Sequence, residues 1–107
     1  MNTSPESKVL MELRAILERI YGPRMADLRL YGSRARGDAT SDSDYDVLVI
    51  LDGTLDPATE RRLCGDAIYD VCRRNDAVVM CHFVSRDRYE REQSPYMLNI
   101  RREGVAV

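Results

Sequence analysis

The sequence predicts an α/β (α+β) domain, a small mixed β-sheet with helices packed mainly on one face. Three observations predict it. Two long stretches carry apolar residues at helical spacing. Three short stretches alternate, or run apolar, as strands do. Turn residues separate them in the order helix, strand, loop, strand, helix, strand, short helices. At 107 residues the chain is the size of one small domain, taken here as 1–107, with a modest core.

Residues 1–3 read as a loose tail. Ser4-Pro5-Glu6 then reads as a helix start, with Ser4 as N-cap, Pro5 at the first helical position and an acid in the first turn. Val9, Leu10, Leu13, Ile16, Leu17 and Ile20 form one apolar stripe, read as core packing, and Gly22-Pro23 stops the helix. Ala26, Leu28 and Leu30 alternate with Asp27, Arg29 and Tyr31, which is a strand with one buried face. Residues 34–43 are rich in Ser, Thr, Asp and Gly, a loop or a loop with a short helical turn, in which Asp38 and Asp42 are turn residues.

Val47 to Leu51 is β-branched-rich and reads as a buried strand, followed by an Asp52-Gly53 turn. Asp56-Pro57 repeats the helix-start signal, and Leu63, Cys64, Ala67, Ile68, Val71 and Cys72 mark the apolar face of a second helix. Cys64 and Cys72 are therefore core residues rather than nucleophiles. Ala77 to Val84 is a third strand. Ser85 and Ser94-Pro95 open two short helices, and Gly104 terminates the last. Five arginines there (Arg86, Arg88, Arg91, Arg101, Arg102) alternate with acids and read as a solvated mixed surface.

Composition narrows function. The net charge of −2 suggests no general affinity for nucleic acid. Three cysteines, an odd number, and an N-terminus without an apolar signal-like segment predict reduced thiols and a cytoplasmic location. His82 is the single histidine, so a multi-histidine metal site within the chain is excluded.

The chemistry is concentrated in Leu30–Leu51, LYGSRARGDATSDSDYDVLVIL. Asp44 and Asp46 are two apart at a strand start, so both side chains project to one face, about 6.5 Å apart along the chain. Carboxylates aimed at one spot repel each other unless a cation neutralises them. Mg²⁺ suits oxygen ligands and leaves places for substrate phosphates. Two such ions can clamp the attacking and leaving oxygens of a phosphoryl-type transfer. Gly32-Ser33, closing the preceding strand, permits a tight turn whose N–H groups form an anion-binding concavity. Arg34 or Arg36 adds positive charge. Either feature alone is weak, because a lone Asp-x-Asp at a strand start is often a solvated turn. Their conjunction across residues 34–43 is more specific.

That conjunction, Gly-Ser, ten residues, Asp-x-Asp, resembles the signature of the polymerase-beta-like nucleotidyltransferase superfamily. GSRARGDATSDSDYDVLV resembles its minimal nucleotidyltransferases in particular, many of them antitoxins paired with HEPN-domain toxins. Weaker similarity extends over most of the chain, to Asn99–Gly104. The resemblance implies the nucleotidyltransferase fold, ATP as substrate and Mg²⁺ as cofactor, with AMP passing to a hydroxyl. The implied acceptor is a tyrosine of a partner HEPN toxin. Asp44 and Asp46 would hold the metals, and Gly32, Ser33 and Arg34 the nucleotide.

Superfamily members often carry a third carboxylate on the third strand. Asp76 is the only acid there, at the strand's start. It either completes the metal site or activates the acceptor, or else it is a turn residue. His82 shares that face by parity and is read as a satisfied structural residue. Two alternatives stand beside the enzyme: an antitoxin that neutralises by binding alone, and nucleotidyl transfer to a small molecule.

Overall fold

A computed structural model describes residues 5–40 and 42–107 of the chain, so the expected Ser4 cap and the 1–3 tail lie outside the described residues. Helix α1 spans Pro5–Tyr21 and is followed by a 3-10 turn, Gly22–Arg24. Strand β1 is Met25–Tyr31, the short helix α2 is Ser33–Arg36, and β2 is Tyr45–Leu51. Helix α3, Pro57–Asn75, leads to β3, Val79–Ser85. Helices α4, Arg86–Arg91, and α5, Pro95–Glu103, precede a two-residue strand β4, Val105–Ala106.

The sheet order is β3-β2-β1-β4. β1 pairs antiparallel with β2 and with β4, while β2 pairs parallel with β3, so the sheet is mixed. The parallel pair needs a crossover, and α3 provides it. β2 lies inside the sheet, which accounts for its continuous run of buried residues from Val47 to Leu51.

Each face of the sheet has its own core. Val9, Leu13, Leu17 and Tyr21 recur every four residues on α1 and pack with Cys64 and Val71 of α3 against Leu28, Leu30, Val47, Val49, Val79 and Phe83. On the opposite face Leu48, Ile50 and Val84 meet Met97 and Ile100 of α5. The long helices therefore share one face, as expected. α5 covers only part of the other, leaving the N-terminal end of β2 open there.

Several details differ from the sequence expectation. Leu63 is exposed at 58%, and a carboxylate, Glu60, takes a core-facing place on α3 instead. Glu60 is tolerated because it is paired. The Tyr21 hydroxyl donates to its Oε1 at 3.0 Å, and the Arg24 guanidinium lies 3.4 Å away. Gly104 follows α5 with φ −63, so the helix ends without a left-handed residue. Its hydrogen matters for another reason, since a Cβ there would sit 2.6 Å from the Ile100 carbonyl oxygen. Strand β4 was not legible in two residues of sequence. Ser85 and Ser94 do cap α4 and α5, accepting from the N–H groups of Arg88 and Met97. Among the described residues no helix is long and apolar enough to cross a membrane.

Candidate active site

Asp46 is the second residue of β2 and Asp44 immediately precedes that strand. Parity places both on the face opposite the long helices, with Leu48 and Ile50 continuing below them. Burial and then the neighbouring Asp44 carboxylate push the Asp46 carboxyl above its ordinary range, while His82 and Arg36 act in the other direction. The two carboxylates are near enough for the Asp44 charge to act on Asp46.

Gly32 sits against that pair. It pairs with neither strand but turns the chain out of β1, at φ 77 and ψ −158, a conformation open to glycine alone. A Cβ built on it would stand 2.5 Å from Asp46 Oδ2. Two independent constraints, the backbone dihedral and the close carboxylate, therefore demand glycine here. The Gly32 carbonyl accepts from the Ala35 and Arg36 N–H groups, both at 3.1 Å, and so starts α2 with Ser33 as its first residue. Gly-Ser and Asp-x-Asp, separated by the loop in sequence, are in contact in space.

The loop between them is held by Arg34. Its guanidinium lies over the Tyr45 ring at 3.9 Å and donates to the Ser43 carbonyl at 3.0 and 2.8 Å. Arg34, expected to touch nucleotide, is directed at the segment that delivers Asp44. Arg36 acts with His82 on Asp46, and it also pairs with Asp38 and Glu103.

Asp76 caps the C-terminus of α3 in a left-handed conformation, φ 47, and is exposed. Among the described residues no cluster of three or more His, Cys, Asp or Glu side chains is arranged to hold a metal, so Asp76 does not join Asp44 and Asp46 in such a group. Register explains the distance in role. Asp46 lies opposite Met80, four residues further along, and Leu48 lies opposite His82.

The side chain that does share the acidic face is His82. Its Nδ1 is 3.2 Å from the Tyr31 hydroxyl, which is in turn 3.1 Å from the Tyr96 hydroxyl. Tyr31 is the cross-strand partner of Asp46. Burial, then the Tyr96 hydroxyl, then the Asp46 charge hold the Tyr31 phenol well above its ordinary value. Sequence parity put His82 on this face. What it missed was the pair of tyrosines, one from β1 and one from α5.

The thiols are structural. Cys64 Sγ meets the Tyr21 hydroxyl at 3.1 Å inside the helical core, and burial pushes the Cys81 thiol up to about 12. An open groove of about 870 Å³, lined by Tyr45, Tyr69, Arg73 and Asp76 among others, lies beside the loop, and neither Asp44 nor Asp46 lines it.

The model of the nucleotidyltransferase domain matches residues 10–96, most of the chain. The chain belongs to the nucleotidyltransferase domain family. A curated relative from Methanocaldococcus jannaschii, named as a protein adenylyltransferase, is 39% identical over 51 residues, covering 48% of this chain and 51% of the relative. The chain thus matches about half the length of that relative. Among solved structures, a toxin–antitoxin complex with AMP-PNP superposes with a TM-score of 0.59 at 19% identity, over 90% of this chain and 69% of that one. A nucleotidyltransferase from Sulfolobus solfataricus gives a TM-score of 0.58 at 19% identity, over 99% and 87%. The toxin–antitoxin pair MntA–HpeT, as the D39ED41E mutant, gives 0.54 at 20%, over 98% and 71%. These likenesses show that the nucleotidyltransferase fold is shared.

Proposed function

We propose that the protein transfers AMP from ATP to a hydroxyl group, releasing pyrophosphate, and that its acceptor is a tyrosine of a partner HEPN toxin which it silences. The observation that carries this is the contact between Gly32 and Asp46, with 2.5 Å between a notional Cβ and the carboxylate oxygen. A phosphate chain lying along Gly32-Ser33 is thereby delivered to the two aspartates.

The donor set fits Mg²⁺. Two carboxylates crowd one another, and Asp46 is raised by burial and by Asp44, so a hard divalent cation relieves both. Asp44 and Asp46 would hold the ions, two by the reading of the motif. Bound there, they would offset the charge that builds on the triphosphate oxygens during transfer. Gly32 leaves room for the phosphates, the Ser33 hydroxyl donates to them, and Arg36 contributes charge from the same turn. Arg34 keeps Ser43 and Asp44 in place. Asp76 is left to cap α3.

The partner is supported by the openness of the site. Met80 on β3, the strand partner of Asp46, and Tyr96 and Leu98 on α5 expose 44–45% of their surface. A protein acceptor would cover this apolar rim and exclude water from the reacting groups. The names of the similar proteins, a protein adenylyltransferase and toxin–antitoxin pairs, agree with this reading.

The experiment is intact-mass analysis of the neighbouring toxin after incubation with this protein, ATP and Mg²⁺, beside an Asp44→Asn/Asp46→Asn variant. Mass gain in AMP steps, lost in the variant, is the expected result. A second reading, neutralisation by binding alone, draws on the absence of a three-carboxylate cluster among the described residues. Under it the variant would still neutralise the toxin and no AMP would appear.

A further inference from the structure

The acidic face holds tyrosine hydroxyls of the chain's own. Of six tyrosines, Tyr21 and Tyr45 are buried in the core on the other side of the sheet, and Tyr69 is exposed on α3, which packs on that same side. Tyr89 and Tyr31 lie against the second core and are half-buried. Tyr96 alone is on the acidic face with 44% of its surface open.

Its placement is built by three elements. Ser94 caps α5, and Met97 and Ile100 anchor that helix on Leu48 and Ile50, directly below Asp46 on β2. The first turn of α5 then holds the Tyr96 hydroxyl 3.1 Å from that of Tyr31, the strand partner of Asp46. Tyr31 sits one residue before Gly32. The ring planes of Tyr31 and Tyr96 meet edge-to-face at 89°, which fixes their relative orientation. From Tyr31 the chain of hydrogen bonds continues to His82 Nδ1 at 3.2 Å.

We propose that Tyr96 is an internal acceptor, and that the protein, when no outside hydroxyl occupies the site, transfers AMP from ATP onto the Tyr96 phenol. This rests on the transferase reading above. The Tyr96 oxygen attacks the α-phosphorus and forms a phosphodiester. The bond from the α-phosphorus to the bridging oxygen breaks, and pyrophosphate leaves with its electron pair. The Tyr96 proton passes to the Tyr31 oxygen as the Tyr31 proton passes to His82 Nδ1. The two hydrogen bonds, at 3.1 and 3.2 Å, supply that path, and His82 ends it. The product occupies the acceptor side of the site and would stop a toxin tyrosine from entering. Self-modification therefore makes the activity self-limiting in the absence of a partner.

The purified chain alone, incubated with Mg²⁺ and ATP labelled at the α-phosphate, tests this by intact mass and peptide mapping. One AMP per chain is expected, on Tyr96, at a rate per molecule independent of protein concentration. Tyr96→Phe and Asp46→Asn should abolish the label, Tyr69→Phe should retain it, and His82→Gln should slow it by about a hundredfold, as for loss of a general base. Label mapped to any other residue in the wild type overturns the assignment without reference to a variant, and so does a rate that climbs with protein concentration. An unlabelled chain that still modifies an added toxin overturns Tyr96 and leaves the function standing. Failure to modify either protein overturns the transferase reading itself.

Discussion

Gly32 carries two constraints in one residue, so its substitution is the most informative. In Gly32→Ala the new methyl meets Asp46 Oδ2 at 2.5 Å and the backbone stays at φ 77. Strain of about 1–3 kcal/mol is expected from the backbone alone, and the displaced carboxylate should lower AMP transfer by about a hundredfold or more, as misplacement near 1 Å does. A thermal melt and a transfer assay measure the two parts, and unaltered transfer would break the link between Gly-Ser and the metal site. Asp46→Asn should act in opposite directions on the same assays. The native carboxyl is raised by burial and Asp44, so its ionised form opposes folding. In EDTA at neutral pH the variant should melt higher, by the ~0.5–2 kcal/mol of a typical stabilising change, while losing transfer. A lower melting point would mean that Asp46 is held by partners rather than crowded. Gly32 and Asp46 were both visible in the sequence as motif residues. Their contact was not, because it depends on how β1 and β2 register.

At the scale of elements, α1 and α3 are joined by the Tyr21–Glu60–Arg24 group. Glu60 is 4% exposed, and its Oε1 accepts from Tyr21 at 3.0 Å. Tyr21→Phe removes that donor from a buried carboxylate and should cost about 1–3 kcal/mol, the usual penalty for stranding a buried partner. The urea midpoint measures it, and an unchanged midpoint would show Arg24 to be sufficient. The helix pattern could not disclose this group. Apolar periodicity assigned the face to Leu63, and a glutamate carries no apolar signal that would place it in a core. The pattern was better at the ends of elements. Ser85, Ser94 and Pro57 were recognisable as helix starts because capping is a local affair between side chain and nearby N–H. Strand β4 shows the opposite case, since two residues carry no pattern. It is held by pairing with Arg29 and Leu30 and by the Arg14 guanidinium, which donates to the Val107 carbonyl at 2.6 Å. Deleting residues 105–107 should lower stability by about 1–2 kcal/mol for the hydrogen bonds lost and expose the β1 edge to association. Chemical denaturation and light scattering would reveal both, and no change in either would make β4 dispensable.

Across the whole molecule, charge determines the response to acid. Hydrogen bonds from Asn75, Thr59, Arg73 and Arg88, in that order, hold Glu12, Asp56, Asp70 and Glu92 below the ordinary carboxylate range. A carboxylate lowered in the folded state adds stability that is present above its unfolded value, and that stability is lost as pH falls through its folded one. Among the described residues Asp46 alone of the shifted carboxylates runs the other way, and protonating it relieves the fold. Four lowered groups against one raised group predict a melting temperature that declines as pH drops below about 4, the unfolded carboxylate range. A melting temperature constant from pH 7 to 3 would refute the surface pairs as contributors. Asp46 would show itself separately. In Asp46→Asn the decline should begin at the same pH but from a higher plateau.

By itself the sequence determined what depends on near neighbours. Helical and strand periodicity, the caps, the Gly-Ser turn and the shared side of Asp44 and Asp46 all follow from spacing along one stretch of chain, and with them came the family. The tertiary structure decided what depends on which distant residues come together. It set β3 against β2 so that Met80 and His82, rather than Asp76, flank the acids. It turned Arg34 onto Tyr45 and Ser43, buried Glu60 beside Tyr21, and gathered Tyr31, His82 and Tyr96 from three elements onto one face. Strand register and helix docking are set by packing over the entire core, so no local window of sequence records them.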